Sequence, residues 1–209
     1  MFRKALALGT ATVVAATASV LLFSSQANAH DVTFRATLRD PQNEVVGTVK
    51  FRVTDHAMEV DARLKPNDNV TPNQFHGFHI HANNIPGDEG CKADPNQPAS
   101  TWFQSADGHL SLEPDKQKHG THSGDLPSPL VMADGTARLT FTTDRIDPAD
   151  LKGTAVILHK DPDNFNNVPV GPAPNQYQPN DPIEAKRVTD ATGNAGPRMA
   201  CGLVRRAWW

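Results

Sequence analysis

Short segments in which apolar and polar residues alternate recur along the chain from residue 32 onward. VTFRATLR (32–39), VVGTVKFRV (45–53) and MEVDARL (58–64) show this period of two, which is typical of strands with one buried face. The remaining strand-like segments are FHGFHIH (75–81), the hairpin PLVMADGTARLTFTT (129–143), GTAVILH (153–159) and MACGLVRR (199–206). About eight short strands with tight turns predict an all-β sandwich or barrel. No amphipathic helix of convincing length is evident after the N-terminal segment.

Two long segments interrupt this pattern. Residues 82–128 and 160–197 are rich in Pro, Asn, Asp and Gly, and each is far longer than the usual connection of about 4–6 residues. Long ordered loops on a rigid β scaffold commonly carry function. We therefore expect the functional residues to lie in these two loops or beside them.

The N-terminal segment has the features of a secretory signal. Arg3 and Lys4 precede an uncharged apolar stretch, and Ala27-Asn28-Ala29 forms a small-x-small cleavage site. The sequence predicts a signal peptide over 1–29 and one domain over 30–209, exported to the periplasm, the cell envelope or the extracellular space. No membrane contact is expected after cleavage; the alternative is an uncleaved membrane anchor.

Charge and cysteine content narrow the classes of partner and compartment. The formal net charge of −3 gives no indication of binding to nucleic acid or to an anionic membrane. The two cysteines are Cys91 and Cys201, and two cysteines in an exported protein usually pair. Two free buried thiols are the alternative.

The segment around residue 79 contains the first candidate metal ligands. Because side chains alternate between faces, His79 and His81 point to one side and the apolar Phe78 and Ile80 to the other. The two histidines are expected to project from the barrel as a chelating pair for a transition metal. His76 falls on the apolar face, where a hydrogen-bonded structural role is expected.

The first long loop offers a second set of metal donors. His109, His119, His122 and Asp125 lie within 17 residues, and three imidazoles with one carboxylate satisfy a four-coordinate zinc site. A polar, solvated loop is the alternative. His159 ends an apolar strand and is placed to reach a metal on the outer face.

These motifs together resemble the copper/zinc superoxide dismutase family over residues 31–206. The resemblance rests on the C-terminal stretch GNAGPRMACGLV (193–204) and on five shorter motifs in the family's order. These motifs are GFHIH (77–81), GH (108–109), KHG (118–120), HSGDL (122–126) and LHKDPD (158–163). The resemblance implies an eight-stranded Greek-key β-barrel, an immunoglobulin-like sandwich, with two long functional loops.

The resemblance also implies a role for each candidate residue. The implied copper ligands are His79, His81 and His159, with His109 bridging copper and zinc. The implied remaining zinc ligands are His119, His122 and Asp125. Asp163 is similar to a carboxylate that joins a ligand histidine of each metal, Arg198 to the arginine beside copper, and Cys91 and Cys201 to the intrachain disulfide.

The implied activity is conversion of superoxide to oxygen and hydrogen peroxide by copper redox cycling. His109 would release and take up a proton during the cycle, zinc would hold His109, and Arg198 would attract the anion. Because the chain is negative, a positive funnel is expected around the copper, with Lys160, Lys186 and Arg187 as further candidates. The partners implied are superoxide and, for the assembly, a homodimer.

The spacing of the zinc motif leaves alternatives open. Only two residues separate His119 from His122, fewer than is common in the family. Either the loop adjusts so that both bind zinc, or the protein is a copper-only dismutase. A non-enzymatic copper-binding or delivery protein on the same fold is a further alternative, although such a protein would need neither His109 nor Arg198.

Overall fold

The computed structural model describes residues 33–54, 57–165 and 182–207. The predicted signal peptide, residues 1–29, lies outside the described residues, as does the predicted start of the domain at residue 30. Ten strands and two α-helices are described, together with two short 3-10 helices, Ala99–Thr101 and Gln104–Ala106, in the first long loop. The strands are β1 (Thr33–Arg39), β2 (Val45–Val53), β3 (Met58–Leu64), β4 (Gln74–Phe75), β5 (Phe78–His81), β6 (Leu130–Val131), β7 (Ala137–Thr143), β8 (Ala155–His159), β9 (Arg198–Leu203) and β10 (Arg205–Ala207). The helices are α1 (Pro148–Leu151) and α2 (Pro182–Thr192).

The strands form a curled antiparallel sheet with Greek-key connections, which confirms the predicted fold class. The order across the main sheet is β5-β8-β9-β1-β2-β3-β7, and β10 also pairs with β1. β1, β2 and β3 follow one another as hairpins, and β9 returns beside β1, the arrangement that defines a Greek key. β4 and β6 form a separate short ladder. In the chain, β4 directly precedes β5 and β6 directly precedes β7, and β5 and β7 are the two edge strands of the main sheet.

One face of the sheet is apolar because side chains alternate along each strand. Phe34, Ala36 and Leu38 of β1 are buried, and they pack with Val49 and Phe51 of β2. At Gly47 a Cβ atom would collide with the carbonyl of Arg63, so only glycine allows β2 and β3 to approach so closely there. The resulting core forms a rigid platform for the two long loops.

Two predicted strands are each divided in the structure. Between β4 and β5, the amide of His76 donates to the carbonyl of Pro129 and the amide of Gly77 donates to the carbonyl of Asp161. Between β9 and β10, the amide of Val204 donates to the carbonyl of Thr154, and the Val204 side chain is buried in the core. In both places loop backbone replaces the neighbouring strand as the hydrogen-bond partner.

The expectation of no helix is wrong for the second long loop. Its last part forms α2, which has eleven residues and begins at Pro182, a favourable residue for the first helical position. A shorter helix, α1, begins with a capping box in which Asp147 and Asp150 satisfy each other's backbone amides. Pro- and Asn-rich sequence before Pro182 concealed α2, and α1, with four residues, is too short to give a helical pattern.

The predicted disulfide between Cys91 and Cys201 is present. The two Cα atoms lie 5.5 Å apart, and the bond closes 110 residues of chain. It fastens the first long loop to β9. Around it a second, smaller apolar cluster forms, which includes Trp102, Phe103 and Ile157.

Within the part of the chain that the structure describes, no helix has the length and apolar character needed to cross a bilayer.

The burial of Phe51 predicts how strongly the core depends on it. Phe51 is fully buried, so Phe51→Ala should lower the free energy of unfolding by about 3–5 kcal/mol. Urea denaturation of the oxidised, metal-free protein measures this. Phe75→Ala is the matched control, because Phe75 is 51% exposed. An equal loss in both variants would contradict the assigned core.

Candidate metal centre

The site is built on the face of β5 opposite the core. Phe78 and Ile80 belong to the main apolar cluster, so alternation sends His79 and His81 to the other side, as predicted. They do not project into solvent, however: the two histidines are 0% and 1% exposed. The first long loop covers them.

Backbone pairing explains how this loop is held. The amide of Ile80 donates to the carbonyl of Gly124, and the carbonyl of Ile80 accepts from the amide of Leu110, each at 2.8 Å. At Gly124 a Cβ atom would collide with the Ile80 carbonyl. His79 consequently lies opposite Asp125, and His81 opposite His109. Residues distant in the sequence thus meet beside one strand.

Four histidines form the first group of donors. Each of His79, His81, His109 and His159 offers a ring nitrogen, and these nitrogens all lie within 4.8 Å of one another. The four buried nitrogens without a hydrogen-bond partner are His79 Nδ1, His81 Nε2, His109 Nε2 and His159 Nε2. Buried, unpaired imidazole nitrogens that converge fit a transition metal such as copper.

The other nitrogen of each ring is held by a fixed acceptor. His79 Nε2 donates to Asp163 Oδ1 at 2.9 Å, His81 Nδ1 to the carbonyl of Asp107 at 2.7 Å, and His159 Nδ1 to the carbonyl of Gly196 at 2.9 Å. His109 Nδ1 lies 2.7 Å from Asp125 Oδ1. Such outer contacts fix the tautomer and the orientation of ligand histidines.

A second group of donors adjoins the first. It contains His79, His109, His119 and Asp125, again within 4.8 Å. His119 Nδ1 lies 3.3 Å from Asp125 Oδ1 and has no hydrogen bond. Imidazole with carboxylate is a donor set that zinc prefers. His79 and His109 belong to both groups. The second ring nitrogen of His79 is held by Asp163, whereas that of His109 faces Asp125, a member of the second group, so His109 is the residue placed to bridge.

His122 is the predicted zinc ligand that this compact group omits. Its Nδ1 lies 3.2 Å from Asp125 Oδ2, and its ring centre is 5.3 Å from that of His109. The structure therefore places His122 against the carboxylate, beside the donors rather than among them. The short spacing from His119 accounts for this, since both residues lie in one tight turn around the Asp125 side chain.

Asp163 lies between the two donor groups. Its Oδ1 is 2.9 Å from His79 Nε2 and 3.5 Å from His119 Nε2. Ser128 donates to its other oxygen at 2.9 Å. A Cβ atom at Gly193 would lie 2.8 Å from Asp163 Oδ1, so glycine is needed for the close approach of the C-terminal motif.

Burial and nearby charges set the pKa values in the site. Burial holds the pKa of His79 and of His81 well below the usual value and lowers that of His159 to about 3. Neutral imidazoles are the form that binds metals. Burial also raises the pKa of Asp163 to about 6.

Asp125 shifts in the opposite direction. Burial alone would raise its pKa, but the adjoining imidazoles of His109, His119 and His122 outweigh burial and hold the pKa well below the ordinary value. Asp125 therefore carries a full negative charge, which is a favourable counter-charge for a bound cation.

Arg198 lies at the mouth of the site. It lines a cavity of about 360 Å³ together with His81, His109, His159 and residues of α2 such as Val188. Its guanidinium donates to the carbonyls of Phe103 at 2.6 Å and Asp107 at 2.7 Å. Burial lowers its pKa to about 10, so the group is positive at neutral pH.

The other cations expected around the copper are placed differently. Lys160, Lys186 and Arg187 do not line this cavity, and Lys186 forms an ion pair with Asp190 at 2.6 Å. In the described part of the chain, Arg198 is therefore the one cation that borders the cavity.

His76 lies apart from both donor groups. It is fully buried, with Nδ1 2.8 Å from the carbonyl of His159 and Nε2 2.7 Å from the carbonyl of Thr71. Both ring nitrogens thus face backbone oxygens, which suits the expected structural role and supports the strand that ends at His159.

Sequence reasoning missed two contributors to the site. The carbonyls of Phe103 and Asp107 hold Arg198, and both residues have a positive φ, 55° and 62°. Every residue has a carbonyl, so side-chain motifs give no signal for them. The left-handed backbone at an aromatic and an acidic residue is visible only in the structure.

An antiparallel β fold with two adjoining groups of imidazole and carboxylate donors defines a metalloprotein. A sequence model of the protein family described as copper/zinc superoxide dismutase (SODC) matches residues 45–204 of this chain. The Cu-Zn superoxide dismutase of Mycolicibacterium paratuberculosis is 35% identical over 170 residues, which cover 80% of this chain and 71% of that protein. That of Deinococcus radiodurans is 31% identical over 94% of this chain and 97% of its own.

Solved structures agree at the level of the fold. The Cu/Zn superoxide dismutase from Brucella abortus superposes with a TM-score of 0.58 at 21% identity, covering 83% of this chain and 99% of that chain. The chain belongs to the copper/zinc superoxide dismutase family. Its activity is the dismutation of superoxide, with copper and zinc as cofactors.

The position of Asp163 predicts that it strengthens metal binding without being a ligand. Asp163→Ala should weaken the affinity for copper by about 10–100-fold, because His79 loses the acceptor that orients it. The affinity for zinc should fall less, because His119 Nε2 lies 3.5 Å from this carboxylate and forms no hydrogen bond with it. Competition with a chromogenic chelator measures both affinities. Asp68→Ala, an exposed aspartate, is the control. Unchanged affinities in Asp163→Ala would refute the orienting role.

Proposed function

We propose that His79, His81, His109 and His159 hold the copper at which superoxide reacts. The observation that carries this proposal is the convergence of their four buried, unpaired ring nitrogens. When bound there, copper supplies the redox chemistry, accepting an electron from one superoxide and giving it to the next. The protein contributes a fixed, water-poor set of neutral imidazoles.

Zinc is assigned to His109, His119, His122 and Asp125. The negative charge of Asp125 and the short contacts of three imidazoles with its carboxylate support this donor set. His122 is the weakest member, because it lies outside the compact group.

His109 is assigned the proton transfer. Its Nδ1 faces Asp125, a member of the set assigned to zinc, while its Nε2 has no partner and the residue lines the cavity beside Arg198. A proton carried at Nε2 is therefore close to the place where peroxide forms. A storage or delivery protein would have no use for this arrangement.

Arg198 is assigned to docking the superoxide anion. The two backbone carbonyls fix its guanidinium at the wall of the cavity, and no carboxylate of the described chain forms an ion pair with it. A fixed cation without an ion-pair partner raises the local concentration of an anionic substrate.

Replacement of Arg198 tests this function. Arg198→Ala should lower the dismutation rate by about tenfold or more while copper content stays unchanged, because the cation acts on the anion. Metal analysis of the purified protein and a superoxide assay give the two values. Arg138→Ala, an exposed arginine on β7, is the control. Copper bound without activity in the unaltered protein would overturn the proposed chemistry, and loss of copper in Arg198→Ala would overturn the docking role.

We also infer that the chain is exported after cleavage behind Ala29. The basic start, the apolar stretch and the Ala27-Asn28-Ala29 site support this, and a structural disulfide fits an oxidising compartment. N-terminal sequencing of the protein from the cell envelope should begin at His30. A protein that retains Met1 would contradict export by cleavage. Assembly as a homodimer stays a prediction.

A further inference from the structure

A second cavity lies on the outer face of the sheet, away from the metal centre. Its volume is about 570 Å³, and it is bordered by the Cys91–Cys201 disulfide and by β1, β9 and β10. Four arginines line it: Arg35, Arg39, Arg205 and Arg206. No described residue lines both this cavity and the one beside Arg198. Dismutation therefore gives no reason for its charge.

The strand register brings like charges together at this cavity. Arg35 of β1 lies directly opposite Arg205 of β10 and, on its other side, directly opposite Lys50 of β2. Side chains in such positions have Cβ atoms about 4.5–5.5 Å apart, and like charges there are destabilising. Arg35 and Arg205 are therefore an unfavourable pair for the sheet alone, whereas Lys50 lies between Arg35 and the acidic Asp61 of β3.

Other cations on this face are neutralised by carboxylates. The ion pairs are Arg52 with Glu59 at 2.8 Å, Arg63 with Asp61 at 2.8 Å and Arg138 with Asp61 at 3.9 Å. Arg35 and Arg205 have no ion pair or side-chain hydrogen bond with any residue that the structure describes. The unfavourable arrangement is thus confined to the cavity.

Charge is also unevenly divided over the whole chain. The exposed face of β10, β1, β2, β3 and β7 carries seven of the 20 basic side chains and two of the 23 acidic ones. The basic residues are Arg35, Arg39, Lys50, Arg52, Arg63, Arg138 and Arg205. A protein with a net charge of −3 therefore has one strongly positive face, which suits an anionic ligand.

Asp40 does not neutralise the cavity. It is the acidic residue of the lining, but its carboxylate is buried and accepts from the amide of Glu44 and from the side chains of Asn67 and Asn69. These bonds hold the β1–β2 turn. The carboxylate is therefore engaged within the turn, and Arg35 and Arg205 retain their charge for a ligand.

The geometry favours phosphate over carboxylate. One guanidinium satisfies the two oxygens of a carboxylate, whereas a phosphate group carries up to two charges and three acceptor oxygens. Two adjacent guanidinium groups, those of Arg35 and Arg205, therefore match one phosphate. Arg39 lies four residues after Arg35 on the same face of β1, about 13 Å farther along the strand. It therefore reaches a second anionic group of the ligand.

We propose that this cavity binds an oligophosphate, a ligand with at least two phosphate groups, one held between Arg35 and Arg205 and another by Arg39. Thr37, which lies between the two arginines of β1 on the same face, adds a hydroxyl donor. The ligand does not take part in dismutation and binds whether or not the metals are present.

Calorimetric titration with inorganic tripolyphosphate tests the proposal on the intact, metal-loaded protein. Arg35→Gln and Arg205→Gln should each weaken binding by about tenfold, and the double variant by about 100-fold. Arg63→Gln, which removes an exposed cation held by Asp61, is the matched control and should change affinity by less than about twofold. Circular dichroism checks that all variants are folded.

Three comparisons decide the outcome. Citrate must bind more weakly than tripolyphosphate; equal or tighter binding overturns the phosphate assignment. Adenosine triphosphate distinguishes a free oligophosphate from a nucleotide as the ligand. An affinity equal to that of tripolyphosphate indicates recognition of the phosphates alone, and a higher affinity indicates a nucleotide. Binding that is unchanged in the double variant overturns the site. Absence of binding at about 1 mM ligand does so as well. As a control, the metal content of the protein is measured after titration, because oligophosphates chelate metals.

Discussion

The backbone pairing between β5 and the two arms of the first long loop is the contact on which the site depends. Ile80 accepts from Leu110 and donates to Gly124, so one residue of an edge strand fixes both arms. An edge strand with free amides and carbonyls is a ready partner for another segment of chain. Here the loop covers that edge and buries two histidines that would otherwise face water.

Burial of those histidines determines their chemistry. Desolvation disfavours the charged imidazolium, which explains why the pKa values of His79 and His81 lie well below the usual value. The rings stay neutral and keep one nitrogen free for a metal. The two carboxylates differ in their surroundings: Asp125 lies among the donors with a negative charge, and Asp163 accepts from His79 and lies 3.5 Å from His119.

Positive charge is used in two separate ways on this acidic chain. At the metal centre, backbone carbonyls hold a single guanidinium, that of Arg198, in a small cavity. On the outer face of the sheet, strand register aligns Arg35 with Arg205. The first arrangement suits a small monovalent anion, and the second suits a larger ligand with several charges.

The sequence by itself determined the all-β fold, most strand positions, the disulfide and most of the residues that converge in the two donor groups, because alternation and motif order are local properties of the chain. It did not reveal the division of residues 75–81 into two strands or the helix that begins at Pro182. These depend on which distant backbone groups compete for hydrogen bonds. Only the tertiary structure decided that His79 and His81 are buried and that His122 lies beside Asp125 rather than among the compact donors. The physical reason is that burial and donor geometry arise from loops folded over a strand, and no spacing in the sequence encodes where those loops come to rest.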